Sequence, residues 1–251
     1  MVNPLDLTGQ RVLVTGASAG IGQATALLLS RLGAGIVAVG RDAERLNQSV
    51  AALEGSGHHP YQQDLSDTAA IPAMLQTIAQ ETGPLSGLVH CAGVNLPRPL
   101  KVLTSRDLTA VHAINAEAAV MLAKGFRRKG VCAGGGSIVL ISSVAALRGQ
   151  PGLAAYAASK GALLALTRTL AVELARERIR VNCLCPGVVE TAEAGRLRER
   201  LSDEAYQRMV DSYPLGFGTP QDVANSVAFF LSDASRWITG TSLVLDGGYS
   251  A

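Results

Sequence analysis

Short aliphatic runs alternate with longer amphipathic segments along the whole chain. Most of these runs are apolar at successive positions, which is typical of strands buried on both faces. The segments between them have helical periodicity over about 10 to 25 residues, so the pattern predicts an α/β fold. In it, a parallel sheet is doubly wound by right-handed crossovers and carries helices on both faces. The predicted strands contain or end at Val12–Val14, Ile36–Val39, Gln62–Asp64, Leu88–Cys91, Ser137–Ser142, Arg180–Leu184 and Ser242–Leu245.

Polar residues at the ends of the helical segments agree with this assignment. Thr104 and Asp107 resemble a capping box, which predicts a long helix that continues to Arg127–Lys129 and stops at Gly130. Thr219–Asp222 presents a cap, a proline and an acid in the order that begins another helix. No linker rich in proline or serine divides the chain, which predicts a single domain.

Composition and charge exclude several classes of function. The net charge is +2, from 22 basic and 20 acidic residues, which gives no electrostatic reason to expect nucleic acid or an anionic membrane as partner. No run reaches the ~18 apolar residues of a membrane span, and Met1–Leu7 lacks a signal pattern, so we expect a cytoplasmic protein. Four cysteines are too few for a disulfide scaffold. We expect Cys183 and Cys185 to share one face of a buried strand rather than to bind a metal.

A glycine-rich turn, Thr15–Gly22, lies between the first predicted strand and the helix that follows it. Glycines there allow the backbone to bend tightly and to approach a pyrophosphate, whose charge is stabilised by the helix N-terminus. The alternative is a plain turn that binds nothing. Its position between a strand and a helix favours a dinucleotide site.

The end of the second strand bears on which dinucleotide is bound. An acid there would hold the ribose hydroxyls of NAD, but this chain has Gly40, followed by Arg41. A guanidinium suits the additional 2′-phosphate of NADP, and Asp42 is better placed to cap the next helix. Arg41 as a solvated loop cation is the alternative. The sequence favours NADP(H) and leaves NAD(H) open.

Tyr156 and Lys160 are four residues apart in a predicted helix and therefore share a face. Hydride transfer to a carbonyl leaves an alkoxide that needs a proton, whereas tyrosine holds its own proton up to a pKa of about 10. Lowering that pKa toward 7 requires about 4 kcal/mol, which a lysine charge about 4 Å away can supply. Tyr156 is therefore the candidate acid in reduction and base in oxidation, and Lys160 the group that lowers its pKa.

The TGxxxGxG spacing of Thr15–Gly22 and the Tyr156-x-x-x-Lys160 pair resemble the short-chain dehydrogenase/reductase family. The resemblance extends from Leu7 to Gly248. It implies one Rossmann-type, NAD(P)-binding domain over residues 1–251, with a seven-stranded parallel sheet in the order 3-2-1-4-5-6-7.

The resemblance also implies a catalytic group of Asn115, Ser143, Tyr156 and Lys160. The Ser143 hydroxyl would polarise the substrate oxygen, with Ser142 as a competing candidate at the same strand end. Asn115 would hold a water of a proton relay behind the lysine. Lys160 would also bind the nicotinamide ribose.

The implied cofactor contacts are spread over six segments of the chain. Asp64 and Leu65 would bind adenine, and the segment from Pro186 would bind the nicotinamide carboxamide. His90 and Cys91 replace two asparagines that are usual in the family, so we expect the side-chain hydrogen bonds that brace the sheet there to be lost. The full set is Gly16, Ser18, Ala19, Gly20, Ile21, Gly22, Arg41, Asp64, Leu65, Cys91, Ala92, Gly93, Tyr156, Lys160, Pro186, Gly187, Val189 and Thr191.

Residues 192–217 occupy the position of the family's substrate lid, where cations and apolar residues at helical spacing predict an amphipathic, mobile helix pair. The alanine-rich segment Ala154–Ala175 resembles the family's dimer seam, so a homotetramer is expected. Cations at the ends of two helices would suit an acidic acyl carrier protein, although helix C-termini attract cations in any case. They are Arg127, Arg128, Lys129, Arg176, Arg178 and Arg180.

The leading hypothesis is an NADP(H)-dependent oxidoreductase that reduces a ketone or a 3-oxoacyl group. An NAD-dependent alcohol or sugar dehydrogenase is the nearest alternative. A non-catalytic dinucleotide-binding protein is a third, although such a protein has no use for a tuned phenol.

Overall fold

The computed structural model describes residues 3–192, 195, 198, 199 and 201–251. Its centre is a parallel sheet of seven strands in the order β3-β2-β1-β4-β5-β6-β7, which confirms the predicted fold. The strands are β1 (Arg11–Thr15), β2 (Gly35–Gly40), β3 (His59–Gln62), β4 (Leu85–His90), β5 (Cys132–Ile141), β6 (Ile179–Pro186) and β7 (Ser242–Leu245).

Helices cover both faces of the sheet because successive residues of the central strands point to opposite sides. The helices are α1 (Gly20–Arg31), α2 (Ala43–Ala51), α3 (Ile71–Thr82), α4 (Ser105–His112), α5 (Ala118–Phe126), α6 (Ala154–Glu173), α7 (Asp203–Asp211) and α8 (Pro220–Leu231). Leu13 packs with α3, α5 and α6 around Phe126, whereas Val12 and Val14 pack with α1, α2 and α8 around Phe230.

The predicted capping box at Thr104 and the predicted cap at Thr219 are both confirmed, because they depend only on residues close in sequence. The Thr104 hydroxyl accepts from the Asp107 N–H while the Asp107 carboxylate accepts from the Thr104 N–H. The same reciprocal pair joins Thr219 and Asp222 at the start of α8. Asp42 caps α2, as predicted, by accepting from the backbone N–H of Arg45.

Several predicted boundaries were wrong, including the following three. β3 ends at Gln62, so Asp64 lies in the loop beyond it. The long helix that was predicted to reach Arg127–Lys129 is divided into α4 and α5 by a π-helical turn at Ala113–Glu117, and α5 ends at Phe126. β5 begins at Cys132 rather than Ser137, since a run of glycines carries no side-chain pattern that would reveal a strand.

Parallel strands bring their carboxyl ends to one edge of the sheet, and predicted site residues follow six of those ends, with Arg41 after β2 and Asp64 and Leu65 after β3. The glycine-rich turn follows β1, Cys91–Gly93 follow β4, Ser143 follows β5, and Gly187–Thr191 follow β6. Among the described residues, no helix is both long enough and apolar enough to cross a membrane.

Candidate active site

The turn after β1 has a shape that only glycine permits. Gly16 has a φ of 66°, and a Cβ added there would lie 2.9 Å from the Ala92 backbone nitrogen. A Cβ on Gly22 would lie 2.3 Å from the Gly16 carbonyl oxygen. No side chain caps α1 at its N-cap residue, so first-turn N–H groups are available to an anion. This open cradle fits a pyrophosphate. The other predicted contacts of the turn, Ser18, Ala19, Gly20 and Ile21, lie at this helix start.

The segment Pro186–Thr191, at the end of β6, contacts the glycine-rich turn that follows β1. A Cβ on Gly20 would lie 3.3 Å from the methyl carbon of Thr191, so the two segments meet. Val189 is largely buried and forms a parallel bridge with Gly218. The glycine-rich turn and the segment predicted to bind the carboxamide are therefore in contact at Gly20 and Thr191.

Residues at the ends of β2 and β3 surround the position expected for the adenine ribose. A Cβ on Gly40 would lie 3.5 Å from the Ser18 hydroxyl oxygen, and Arg41 is exposed beside it. The N–H and hydroxyl of Ser66, with a further contribution from the Arg41 charge, lower the pKa of Asp64. The Leu65 side chain is buried in the core, which leaves its backbone for contact with a base.

Lys160 is 4% exposed, and its ammonium donates to the Ile141 carbonyl at the end of β5, with an Nζ–O distance of 2.7 Å. Its Nζ lies 5.8 Å from the centroid of the Tyr156 ring, one turn earlier on α6. A Cβ on Gly93 would lie 3.2 Å from both Lys160 Nζ and Asn115 Oδ1. The structure therefore brings the lysine, the asparagine and the loop after β4 to one point.

Asn115 lies in the π-helical turn and is fully buried. Its Oδ1 accepts from the Val94 N–H at 2.8 Å, and its Nδ2 donates to the Val94 carbonyl at 2.9 Å and to the Ser159 hydroxyl at 2.9 Å. The side chain thus joins the loop after β4 to α6, the helix that carries Tyr156 and Lys160.

Two neighbouring serines at the end of β5 have different surroundings. Ser142 is buried and its hydroxyl donates to the Lys160 carbonyl at 2.8 Å, so it braces α6. Ser143 is half-buried, and its hydroxyl oxygen accepts from the Ala145 N–H at 3.2 Å. Its O–H proton remains available to a substrate oxygen, so the geometry favours Ser143 over Ser142.

His90 forms a buried network that the sequence analysis missed. Its Nε2 lies 3.2 Å from the Ile114 carbonyl oxygen and its Nδ1 lies 3.0 Å from the Thr15 hydroxyl oxygen, which also accepts from the Ala92 N–H. A carbonyl can only accept, so we infer that Nε2 carries the proton. The expectation that the sheet would lose its bracing here was wrong, because the imidazole joins β1, β4 and the π-helical turn. Burial, aided by the Lys160 charge, lowers the pKa of His90 to about 3.

Three of the cysteines have roles in packing rather than in chemistry. Burial raises the pKa of the Cys91 thiol to about 12, so it stays protonated and unreactive. Cys183 and Cys185 are both buried at alternate positions of β6, as predicted. Within the described part of the chain, no group of three or more histidine, cysteine or acidic residues is placed to hold a metal ion.

The described part of the expected lid contains α7 and one wall of a cavity of about 390 Å³. Arg198 forms an ion pair with Asp203, and its guanidinium lies 4.5 Å from the centre of the Tyr206 ring. Arg196 and Arg200, two of the cations on which the lid prediction rested, lie outside the described residues. The cavity is lined by Val188, Glu190, Thr191, Ala192, Gly195, Arg198, Tyr206, Met209 and Phe217.

Most of the cations considered for carrier docking are engaged within the fold. Arg127 forms an ion pair with Glu177, and Arg178 donates to the Gly134 carbonyl. Arg128 donates to the Pro72 carbonyl and to Gln76, and Arg180 donates to the Ser235 hydroxyl and the Ser232 carbonyl. Lys129 and Arg176 make no such contact with the described residues.

Similarity to known proteins extends over nearly the whole chain. A family model described as enoyl-(acyl carrier protein) reductase matches residues 16–250. The chain is 35% identical over 245 residues to the 3-oxoacyl-(acyl-carrier-protein) reductase of Thermotoga maritima, covering 96% of this chain and 98% of that one.

Solved structures agree with these sequence matches. A candidate short-chain alcohol dehydrogenase from Sinorhizobium meliloti superposes with a TM-score of 0.91 and 35% identity, over 98% of each chain. A candidate NAD(P)-dependent gluconate 5-dehydrogenase from Beutenbergia cavernae, with bound NADP, gives a TM-score of 0.90 and 34% identity, over 98% of this chain and 99% of that one.

Proposed function

This chain belongs to the short-chain dehydrogenase/reductase family, and from that premise we propose that it is an NADP(H)-dependent reductase of ketones or 3-oxoacyl groups. Members of the family are oxidoreductases, and this chain is one that moves a hydride between a nicotinamide dinucleotide and a carbonyl or secondary alcohol.

The observation that carries the proposal is the convergence of Lys160 and Asn115 on Gly93, with Tyr156 one helical turn away. When bound, the nicotinamide supplies the hydride. The Ser143 hydroxyl then donates to the carbonyl oxygen, and Tyr156 donates the proton that the alkoxide requires. The Lys160 ammonium is held by the Ile141 carbonyl one helical turn from Tyr156, and in our proposal its charge favours the ionised phenol.

In our proposal the Lys160 ammonium, which the Ile141 carbonyl holds at the end of β5, also binds the nicotinamide ribose. Gly187 and Val189 would present backbone groups, and Thr191 its hydroxyl, to the carboxamide. Asn115 would hold the relay water through the π-helical turn.

The preference for NADP(H) is supported by Arg41, an exposed guanidinium beside Gly40 and close enough to Asp64 to affect its pKa. A carboxylate in place of Gly40 would repel a 2′-phosphate, whereas Gly40 carries no side-chain charge at that position. The related gluconate 5-dehydrogenase candidate holds NADP.

The preference for a ketone or 3-oxoacyl substrate is supported by the Thermotoga maritima relative, which is named for 3-oxoacyl reduction. The proposal includes a 3-oxoacyl substrate that is bound to an acidic acyl carrier protein. Of the cations considered for carrier docking, Lys129 and Arg176 are the two that would contact this partner. The second candidate, an NAD-dependent alcohol or sugar dehydrogenase, is favoured by the names of other relatives, among them D-threitol dehydrogenase of Mycolicibacterium smegmatis.

We further propose a cytoplasmic homotetramer. Support for assembly comes from apolar side chains that α4, α5 and α6 leave at the surface, since an exposed apolar patch commonly marks an interface. Val172 near the end of α6 is 80% exposed, and Leu108 and Val120 are also exposed.

The test is a panel of carbonyl substrates assayed with NADPH and with NADH, and of the corresponding alcohols and sugars assayed with NADP and with NAD. It includes a 3-oxoacyl thioester, simple ketones, a ketose and an enoyl thioester. We expect the highest kcat/KM with NADPH and a ketone or the 3-oxoacyl thioester. A higher kcat/KM for sugar or alcohol oxidation with NAD would support the second candidate. Tight NADPH binding with no turnover of any substrate would support a non-catalytic binding protein.

A further inference from the structure

Tyr213, which follows α7, makes two contacts with the segment proposed to bind the nicotinamide. The residue is 4% exposed, and its hydroxyl oxygen accepts from the Val188 N–H at 3.2 Å. A Cβ on Gly187 would lie 2.8 Å from Cε1 of the Tyr213 ring, so the ring packs directly against that backbone. One side chain therefore restrains two consecutive residues of Pro186–Thr191.

An aromatic column, which we define as Phe217, Tyr213, Tyr249 and Arg148, holds this ring in place. The Phe217 ring meets Tyr213 edge-on at a centroid distance of 5.0 Å and an angle of 81°. The Tyr249 ring stacks on Tyr213 at 4.4 Å with the planes 7° apart, and the Arg148 guanidinium lies 4.1 Å from the Tyr249 ring centre. Aromatic and cation–π contacts of this kind restrict the position of the ring beyond the effect of burial alone.

The C-terminal turn that carries Tyr249 is itself held firmly. The Asp246 carboxylate accepts from the Gly248 N–H and from the N–H and hydroxyl of Ser250. The Gly247 carbonyl accepts from the Leu215 N–H at 3.0 Å. These bonds fix the turn against the segment that leads from Tyr213 to Phe217.

The other end of the column reaches the loop between Ser143 and Tyr156. Arg148 donates to the Tyr249 carbonyl, and Gln150 donates to the Tyr249 hydroxyl at 3.3 Å. The column thus connects the loop between the proposed catalytic serine and tyrosine to the proposed nicotinamide segment, through the C-terminal turn.

We propose that Tyr213 is a positioning residue for the nicotinamide, and that Tyr249 of the C-terminal turn holds it in that position. The inference rests on the proposed function, because it takes Pro186–Thr191 as the carboxamide segment. Tyr213 acts by fixing the Val188 amide, and thereby the backbone and hydroxyl groups that follow it in the chain. It exchanges no proton with the substrate, so it affects cofactor affinity and not the pH dependence of turnover.

The principal test is Tyr213→Phe, which keeps the ring and its stacking but removes the hydrogen-bond acceptor. We expect the Kd for NADPH, measured by fluorescence titration, to rise about fivefold, since one hydrogen bond to a buried group is lost. With saturating cofactor, kcat should stay within about twofold and the pH profile should not move. The matched control is Tyr61→Phe on β3, which should leave the Kd unchanged.

A second variant, Tyr249→Leu, tests the column without touching the Val188 bond. It should raise the Kd for NADPH in the same direction, and the double variant should show less than the sum of the two effects in free energy. A Kd unchanged in Tyr213→Phe would overturn the proposal, as would a fall in melting temperature without a change in Kd.

The two proposals fail separately. Wild-type protein that binds NADPH but reduces no carbonyl would overturn the reductase proposal, and the titrations would still decide the role of Tyr213. Wild-type protein that binds neither reduced cofactor would overturn both.

Discussion

Acidification below about pH 6.5 is expected to destabilise the protein through His90. Both ring nitrogens are hydrogen-bonded in the interior, and burial beside the Lys160 charge lowers the pKa to about 3. In the unfolded chain the imidazole has its ordinary pKa of about 6.5. Between these values the unfolded state binds the proton and the folded state does not. Stability from the neutral ring is therefore present above about pH 6.5 and lost as the pH falls toward 3.

The magnitude follows from the difference between the two pKa values. A fall from 6.5 to about 3 corresponds to about 5 kcal/mol once fully expressed, at 1.36 kcal/mol per pKa unit. Between pH 7.5 and 4.5, the unfolded imidazole gains its proton and the expected loss is about 2.5 kcal/mol. Carboxylates with an ordinary pKa near 4 add little in this range.

The assay is urea unfolding at pH 7.5 and at pH 4.5, at two protein concentrations so that assembly is accounted for. His90→Asn should be less stable than wild type at pH 7.5, but its stability should change by less than about 1 kcal/mol between the two pH values. His59→Asn, at an exposed position of β3, is the control and should keep the wild-type pH dependence. If His90→Asn loses as much stability on acidification as wild type does, the reasoning is refuted.

Two further predictions concern the roles of the neighbouring residues Ser142 and Ser143 and the contribution of Arg41 to the choice of cofactor. Ser143→Ala is expected to lower kcat about 10²–10³-fold with little change in stability, whereas Ser142→Ala, which removes the donor to the Lys160 carbonyl, should cost about 1–3 kcal/mol of unfolding free energy. Steady-state kinetics and urea titrations on both variants check this, and equal losses of kcat would contradict it. Arg41→Ala should raise the KM for NADPH about 10-fold or more and the KM for NADH by less than about twofold. Equal changes in the two KM values would remove the case for NADP(H).

The fold was predictable because its signals are local or periodic. Buried parallel strands such as β1 and β2 are continuous apolar runs, and the Thr104 and Thr219 capping boxes depend on residues three positions apart. The glycines at positions 16 and 22 indicate a turn in which the backbone leaves no space for a Cβ. Such features can be identified without knowing what packs against them.

What escaped prediction depends on pairs that are distant in sequence. The role of His90 requires Thr15, on another strand, and the Ile114 carbonyl of a π-helical turn that interrupts a regular helical pattern. The stack of Tyr213 on Tyr249 likewise joins the lid region to the C-terminal turn. A polar residue at the end of the apolar strand β4 was the available sign that His90 has a role, but it does not identify the groups that the imidazole binds.

In our proposal, the phenol of Tyr156 supplies the proton during reduction. The most direct test of this step is single-turnover oxidation of bound NADPH by a reactive ketone, in wild type and in Tyr156→Phe. We expect the rate to fall about 10²–10⁴-fold while the Kd for NADPH stays within about twofold. A Tyr156→Phe variant that consumes NADPH at close to the wild-type rate would contradict the account.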